Sequence, residues 1–93
     1  MYTIYFAETA DEDKEFWKKS GQKIIMNRIS KLLTDIQAHP KTGIGRPEAL
    51  RYELAGKYSR RINDEHRIVY EIDEENNRVV VLSLVGHYMR KHI

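Results

Sequence analysis

A chain of 93 residues with a formal net charge of +2 is sized for one domain, over 1–93, with a modest core. It contains no cysteine, which excludes a disulfide framework, a thiolate metal site and a thiol nucleophile. No apolar run nears the ~20 residues that span a bilayer, and the first residues lack the basic and long apolar regions of a secretory leader. Together these features predict a domain acting in the cytoplasm.

Charge is unevenly placed. Residues 8–15 hold five acids against one lysine. From Lys41 to Arg67 there are seven basic residues against four acids, and the tail adds Arg90 and Lys91. A basic middle on a near-neutral chain predicts a local anion-binding site rather than a uniformly basic surface.

Residues 2–6, β-branched and aromatic, predict a strand. Thr9-Ala10-Asp11-Glu12 has capping-box spacing and predicts a helix start, with acids in the first turn where the dipole favours them. That helix ends near Ser20-Gly21, and Trp17 is its expected core anchor. Ile25, Ile29, Leu32, Leu33 and Ile36 then fall at i, i+4, i+7, i+8 and i+11, one apolar stripe of a second helix that Pro40 stops. The short Ser-Gly turn predicts an antiparallel helical hairpin. Residues 39–47, with two glycines and two prolines, predict a loop.

Strands are expected at Ala49–Leu54, Lys57–Ile62, His66–Ile72 and Arg78–Val85. Turns fall at Ala55-Gly56, Asn63-Asp64-Glu65 and Asp73–Asn77. The unbroken apolar run of the last strand predicts a central position covered on nearly both faces. The order β-α-α-β-β-β-β predicts an α+β fold: an antiparallel sheet with an N-terminal strand, the helical hairpin on one face, and a concave site on the other.

The residues on offer can cleave RNA without a metal. That chemistry needs a base to take the 2′-hydroxyl proton, a cation to stabilise the charge gained at phosphorus, and an acid for the departing 5′-oxygen. Glu48, beside Pro47 at a strand mouth, is the candidate base; the competing explanation is a solvated loop glutamate. Arg61 and Arg67 offer planar guanidinium forks that match phosphate, against ordinary strand-surface pairing with Glu53, Glu65 or Glu71. Arg67 is preferred because it opens an apolar strand. Arg60 and Arg61 alternate and point to opposite faces, so both do not line one site. His87, after Gly86, is the candidate acid, and Tyr88 a base-stacking or phosphate-bonding phenol. The competing explanations are a strand-end histidine bonded to backbone and a core-edge tyrosine. His39 and His66 lack partners at metal-ligand spacing, and His92 is a weaker alternative acid.

Four patches carry a resemblance: Gly45-Arg46-Pro47-Glu48-Ala49-Leu50, Leu54-Ala55-Gly56-Lys57-Tyr58-Ser59-Arg60-Arg61-Ile62, Asp64-Glu65-His66-Arg67-Ile68-Val69-Tyr70, and Gly86-His87-Tyr88. In this order the chain resembles the YoeB/Txe family of toxin–antitoxin ribonucleases within the RelE-like superfamily. The resemblance implies a RelE-like fold and an endoribonuclease that needs no metal or other cofactor. It would cut mRNA in the A site of the 30S ribosomal subunit, leaving a 2′,3′-cyclic phosphate. It implies silencing by a cognate YefM-like antitoxin and leaves room for a homodimer. By match, Glu48 is the general base, Arg67 the transition-state cation and His87 the general acid, while Arg51, Arg61 and Tyr88 contact RNA. Arg51 stands where lysine is common, Tyr58 where tryptophan is usual, and Met89–Ile93 extend past the usual end. Two other readings follow the same residues: a ParE-like toxin that blocks a protein target such as gyrase, and a non-catalytic RNA-binding module.

Overall fold

The computed structural model describes residues 1–86; residues 87–93, which hold His87, Tyr88 and His92, lie outside the described residues. Strand β1 (Thr3–Phe6) leads into helices α1 (Glu8–Ser20) and α2 (Lys23–Ala38). After a long loop come β2 (Glu48–Ala49), a single 3-10 turn (Tyr52–Leu54), β3 (Lys57–Arg61), β4 (Arg67–Asp73) and β5 (Arg78–Ser83). One sheet has the order β1-β5-β4-β3-β2. The described helices are not long and apolar enough to cross a membrane.

The α+β order is as expected, but the sheet is mixed rather than antiparallel. β1 lies parallel to β5, with Thr3 opposite Arg78 and Phe6 opposite Val81. The helical hairpin between β1 and the remaining strands allows this, since it supplies the long connection a parallel neighbour needs. The other neighbouring strands pair antiparallel.

Helix α1 starts at Glu8 and not through a Thr9 cap. Ala7 N–H still bonds Val81 O across the sheet at 2.9 Å, while Ala7 O already accepts Asp11 N–H at 3.0 Å. The strand therefore hands the chain directly to the helix, and tertiary pairing overrides the local cap. Gly21, at φ 68, closes α1 in the left-handed conformation that glycine adopts without penalty. The α2 stripe is as predicted, with Ile29, Leu32 and Ile36 buried. It meets Ile68, Tyr70, Val79 and Val81 in one core that also takes in Trp17.

The strand expected over Ala49–Leu54 is cut to Glu48–Ala49. Leu50 N–H bonds Lys57 O at 2.9 Å, and Tyr52 turns the chain at φ 59, so the ladder stops there. β5 is an interior strand, yet only one of its faces is closed. Val79 and Val81 are buried, whereas Val80 and Leu82 are intermediate. Its apolar run reflects one packed face and one half-open one.

Candidate functional site

The register separates the two faces of the sheet residue by residue. Tyr58, Arg60, Ile68 and Tyr70 share the helix-side face, because Arg60 pairs with Ile68 and Tyr58 with Tyr70. Glu48 and Ser59 pair, as do Ser59 and Val69, and Arg61 and Arg67. These residues form rows on the open face.

On that face the structure brings two of the predicted catalytic residues together. Arg67 Nη1 lies 3.9 Å from Glu48 Oε1 and donates to Ser59 Oγ at 3.4 Å. Ser59 is fully buried between them and Arg67 is 18% exposed at its side chain, while Glu48 is half-exposed. Arg61 sits beside Arg67 across the ladder and reaches Asp64 at 3.4 Å. Arg51 is exposed on the link between β2 and the 3-10 turn, where its carbonyl accepts Leu54 N–H. His87 and Tyr88 lie outside the described residues. Tyr58, which stands where tryptophan is usual in the family it resembles, stacks on Tyr70 within the core face at 6.0 Å.

The loop that delivers Glu48 is held from the opposite face. Arg60 is fully buried and donates through Nη1 to Asp35 Oδ2 at 2.6 Å and Ile44 O at 2.8 Å. Its Nη2 donates to His39 O and Thr42 O, and its Nε to Tyr70 Oη. Tyr70 Oη in turn donates to Pro40 O at 2.6 Å. One guanidinium thus gathers the carbonyls of a loop that has no regular structure to satisfy them. The hydrogen bond from Arg60 holds the Asp35 carboxyl below the ordinary carboxylate value, helped by Ile44 N–H and opposed by burial. Burial raises the Tyr70 phenol, against the Arg60 hydrogen bond.

The two glycines of the loop have distinct steric reasons. A Cβ at Gly43, where φ is 123, would collide with the Asp35 carboxylate. At Gly45, where φ is 79, it would stand 2.5 Å from a Leu32 methyl. Gly45 O then accepts Arg61 N–H at 2.7 Å, which docks the loop on β3 just before Glu48. Arg46 carries a positive φ of 52 in this connection, a non-glycine strain of the kind found at functional sites.

A second network fixes the exit from β5. Asp13 Oδ2 accepts Leu84 N–H at 2.8 Å, and Trp17 Nε1 donates to Leu84 O at 3.0 Å. Gly86 N–H donates to His66 Nδ1 at 2.8 Å, and Arg67 N–H donates to Gly86 O at 3.0 Å. The β4–β5 register shifts between Val69 and Tyr70, next to this point; such irregularities re-aim the chain.

Arg60 and His66 carry roles that the sequence reading did not assign to them. A signal for Arg60 was available: strict alternation places it on the apolar face with Tyr58, where a cation requires partners. No spacing rule singles out His66, because its partners Trp17 and Gly86 are remote in sequence.

Comparison with known proteins identifies the family of the chain. Residues 6–88 match the family model described as YoeB-like toxin of bacterial type II toxin-antitoxin system. Toxin YoeB of Mycobacterium bovis is 42% identical over 88 residues, covering 95% of this chain and all of the relative. A YoeB/ParE toxin from Agrobacterium tumefaciens superposes with a TM-score of 0.87 at 31% identity, over 92% of this chain and 99% of that one. The heterotetrameric YoeB–YefM toxin–antitoxin complex from Staphylococcus aureus gives 0.81 at 38% identity, over 95% and 99%. With the same β-α-α-β-β-β-β order and a match across most of its length, this chain belongs to the YoeB-like toxins of bacterial type II toxin–antitoxin systems.

Proposed function

We infer that this toxin is a ribosome-dependent mRNA endoribonuclease acting in the A site. The observation that carries the reading is the placement of Glu48 and Arg67 on the open face, 3.9 Å apart, with the Gly86 carbonyl bonded to the Arg67 backbone. The end of the described chain at Gly86 is thereby tied to the strand that carries the candidate cation.

Glu48 takes the proton of an RNA 2′-hydroxyl, and the freed oxygen attacks the adjacent phosphorus. Arg67 stabilises the extra negative charge on the five-coordinate phosphorus, with Arg61 beside it on the same face. The bond from phosphorus to the 5′-oxygen breaks, His87 protonates the departing oxygen, and a 2′,3′-cyclic phosphate remains. Arg51 and Tyr88 serve RNA contact. An antitoxin of the YefM kind is the expected partner, as the staphylococcal complex suggests by likeness.

The test is toeprinting of mRNA on programmed ribosomes with the wild type, Glu48→Gln and His87→Ala. We expect A-site cleavage by the wild type and a loss of about 10²–10⁴-fold in each variant. Toxicity in cells without cleavage by the wild type would instead favour a toxin that blocks a protein target.

A further inference from the structure

His66 stands just before Arg67, and the two residues grip Gly86 from both sides. The His66 side chain accepts the Gly86 N–H, and the Arg67 backbone donates to the Gly86 carbonyl. Because an amide N–H can only donate, Nδ1 of His66 must be bare, and the proton of the neutral ring sits on Nε2. The surroundings favour that tautomer independently: Nε2 faces Glu65 Oε1 at 3.7 Å. The ring is held in place by Trp17, edge-on at 4.9 Å and 89°. Trp17 and Asp13, both on α1, fix Leu84 two residues earlier. Past the last ladder residue, Ser83, the chain is therefore tied down at Leu84 and again at Gly86. Gly86 itself lies at φ 81, a turn that glycine makes without strain.

We propose that His66, as the Nε2–H imidazole, is a positioning residue that latches Gly86 and so fixes the backbone from which Arg67 reaches the open face. The inference rests on the nuclease reading above. It assigns His66 no contact with RNA and no proton transfer. Its effect comes through the Gly86 carbonyl that accepts the Arg67 N–H, and a displacement of about 1 Å at Arg67 costs on the order of 10²-fold in rate.

The experiment measures cleavage on programmed ribosomes, with kcat and KM separated, for the wild type, His66→Ala, His66→Gln and His66→Asn. An asparagine Oδ1 falls close to where Nδ1 stood and can accept the Gly86 N–H; the glutamine amide is set one carbon further out. We expect kcat to fall ~10²-fold in His66→Ala and His66→Gln with KM held within about twofold, and His66→Asn to recover most of the loss. In the wild type, nitrogen NMR should show an unprotonated Nδ1 and a hydrogen-bonded, exchange-protected Gly86 amide. Undiminished cleavage by His66→Ala, or a protonated Nδ1 in the wild type at neutral pH, would overturn the proposal. This NMR measurement decides even where a variant fails to fold. Absence of cleavage by the wild type would overturn the nuclease reading and this inference with it, whereas the first two results overturn this inference alone.

Discussion

Arg60 leaves β3 toward the helices, and Arg67 leaves the neighbouring β4 toward the open face. Arg60 is fully buried, and its bond to Asp35 is 2.6 Å long. Arg67 meets Ser59 and Glu48 at 3.4 and 3.9 Å and keeps part of its side chain exposed. The same side chain is a structural rivet in one place and a reachable cation in the other. What separates the two is burial and direction: Arg60 is fully buried among loop carbonyls and a carboxylate on the helix side, whereas Arg67 keeps an exposed edge on the open face, where its contacts include a hydroxyl and a carboxylate. Full burial with short bonds spends the Arg60 guanidinium on the fold, while an exposed edge leaves the Arg67 guanidinium within reach of solvent.

The largest effect should come from the buried arginine. Arg60→Ala leaves Asp35 and several loop carbonyls without their donor, and should cost about 3–5 kcal/mol. Urea unfolding curves measure this, and a shift near zero would break the contrast between the two faces. Arg67→Ala should do the reverse. We expect cleavage to drop by about 10²–10³-fold while the same unfolding curves move by less than about 1 kcal/mol. Equal losses of stability in both variants would mean that Arg67, too, is mainly structural.

The smallest effect sharpens the rivet itself. The folded protein holds the Asp35 carboxyl below its ordinary value, chiefly through Arg60. A depressed carboxyl contributes stability that is present above its unfolded value, about 3.9, and is lost as pH falls through the lower folded value. Asp35→Asn should therefore be less stable than the wild type near neutral pH, and the gap should narrow as pH falls below about 4. A gap that is constant across that range would show that the Asp35 charge contributes nothing.

The periodic parts of the chain were readable from sequence. The stripe Ile25–Ile36 needs only a 3.6-residue repeat, and Trp17 only its place on α1. The open-face pair was readable too, because Glu48 and Arg67 lie in short patches that resemble a known family. Three features were not. In Ala49–Leu54, Leu50, Tyr52 and Leu54 alternate with Arg51 and Glu53 as in a strand, and the turn at Tyr52 leaves no local mark. The parallel pairing of β1 is decided by β5, some seventy residues away in the chain: the contacts of α1 with Leu84 span separations of 67 and 71. The work of Arg60 and His66 depends on backbone carbonyls and amides, which every residue has and no sequence pattern displays.

The placement of β1 also governs when the molecule can become whole. Its ladder partner is β5, and the contacts that secure α1 to the strand exit come from Leu84. Closing loops of that length carries a high entropic cost before any contact repays it, which slows folding of such topologies. During synthesis β1 and α1 emerge well before β5 and Leu84 and must wait for them to find their native neighbours. A chain interrupted before β5 lacks both the strand between β1 and β4 and the Gly86 tie to Arg67. Premature termination therefore yields a fragment that can neither complete its core nor assemble the face that carries Arg67.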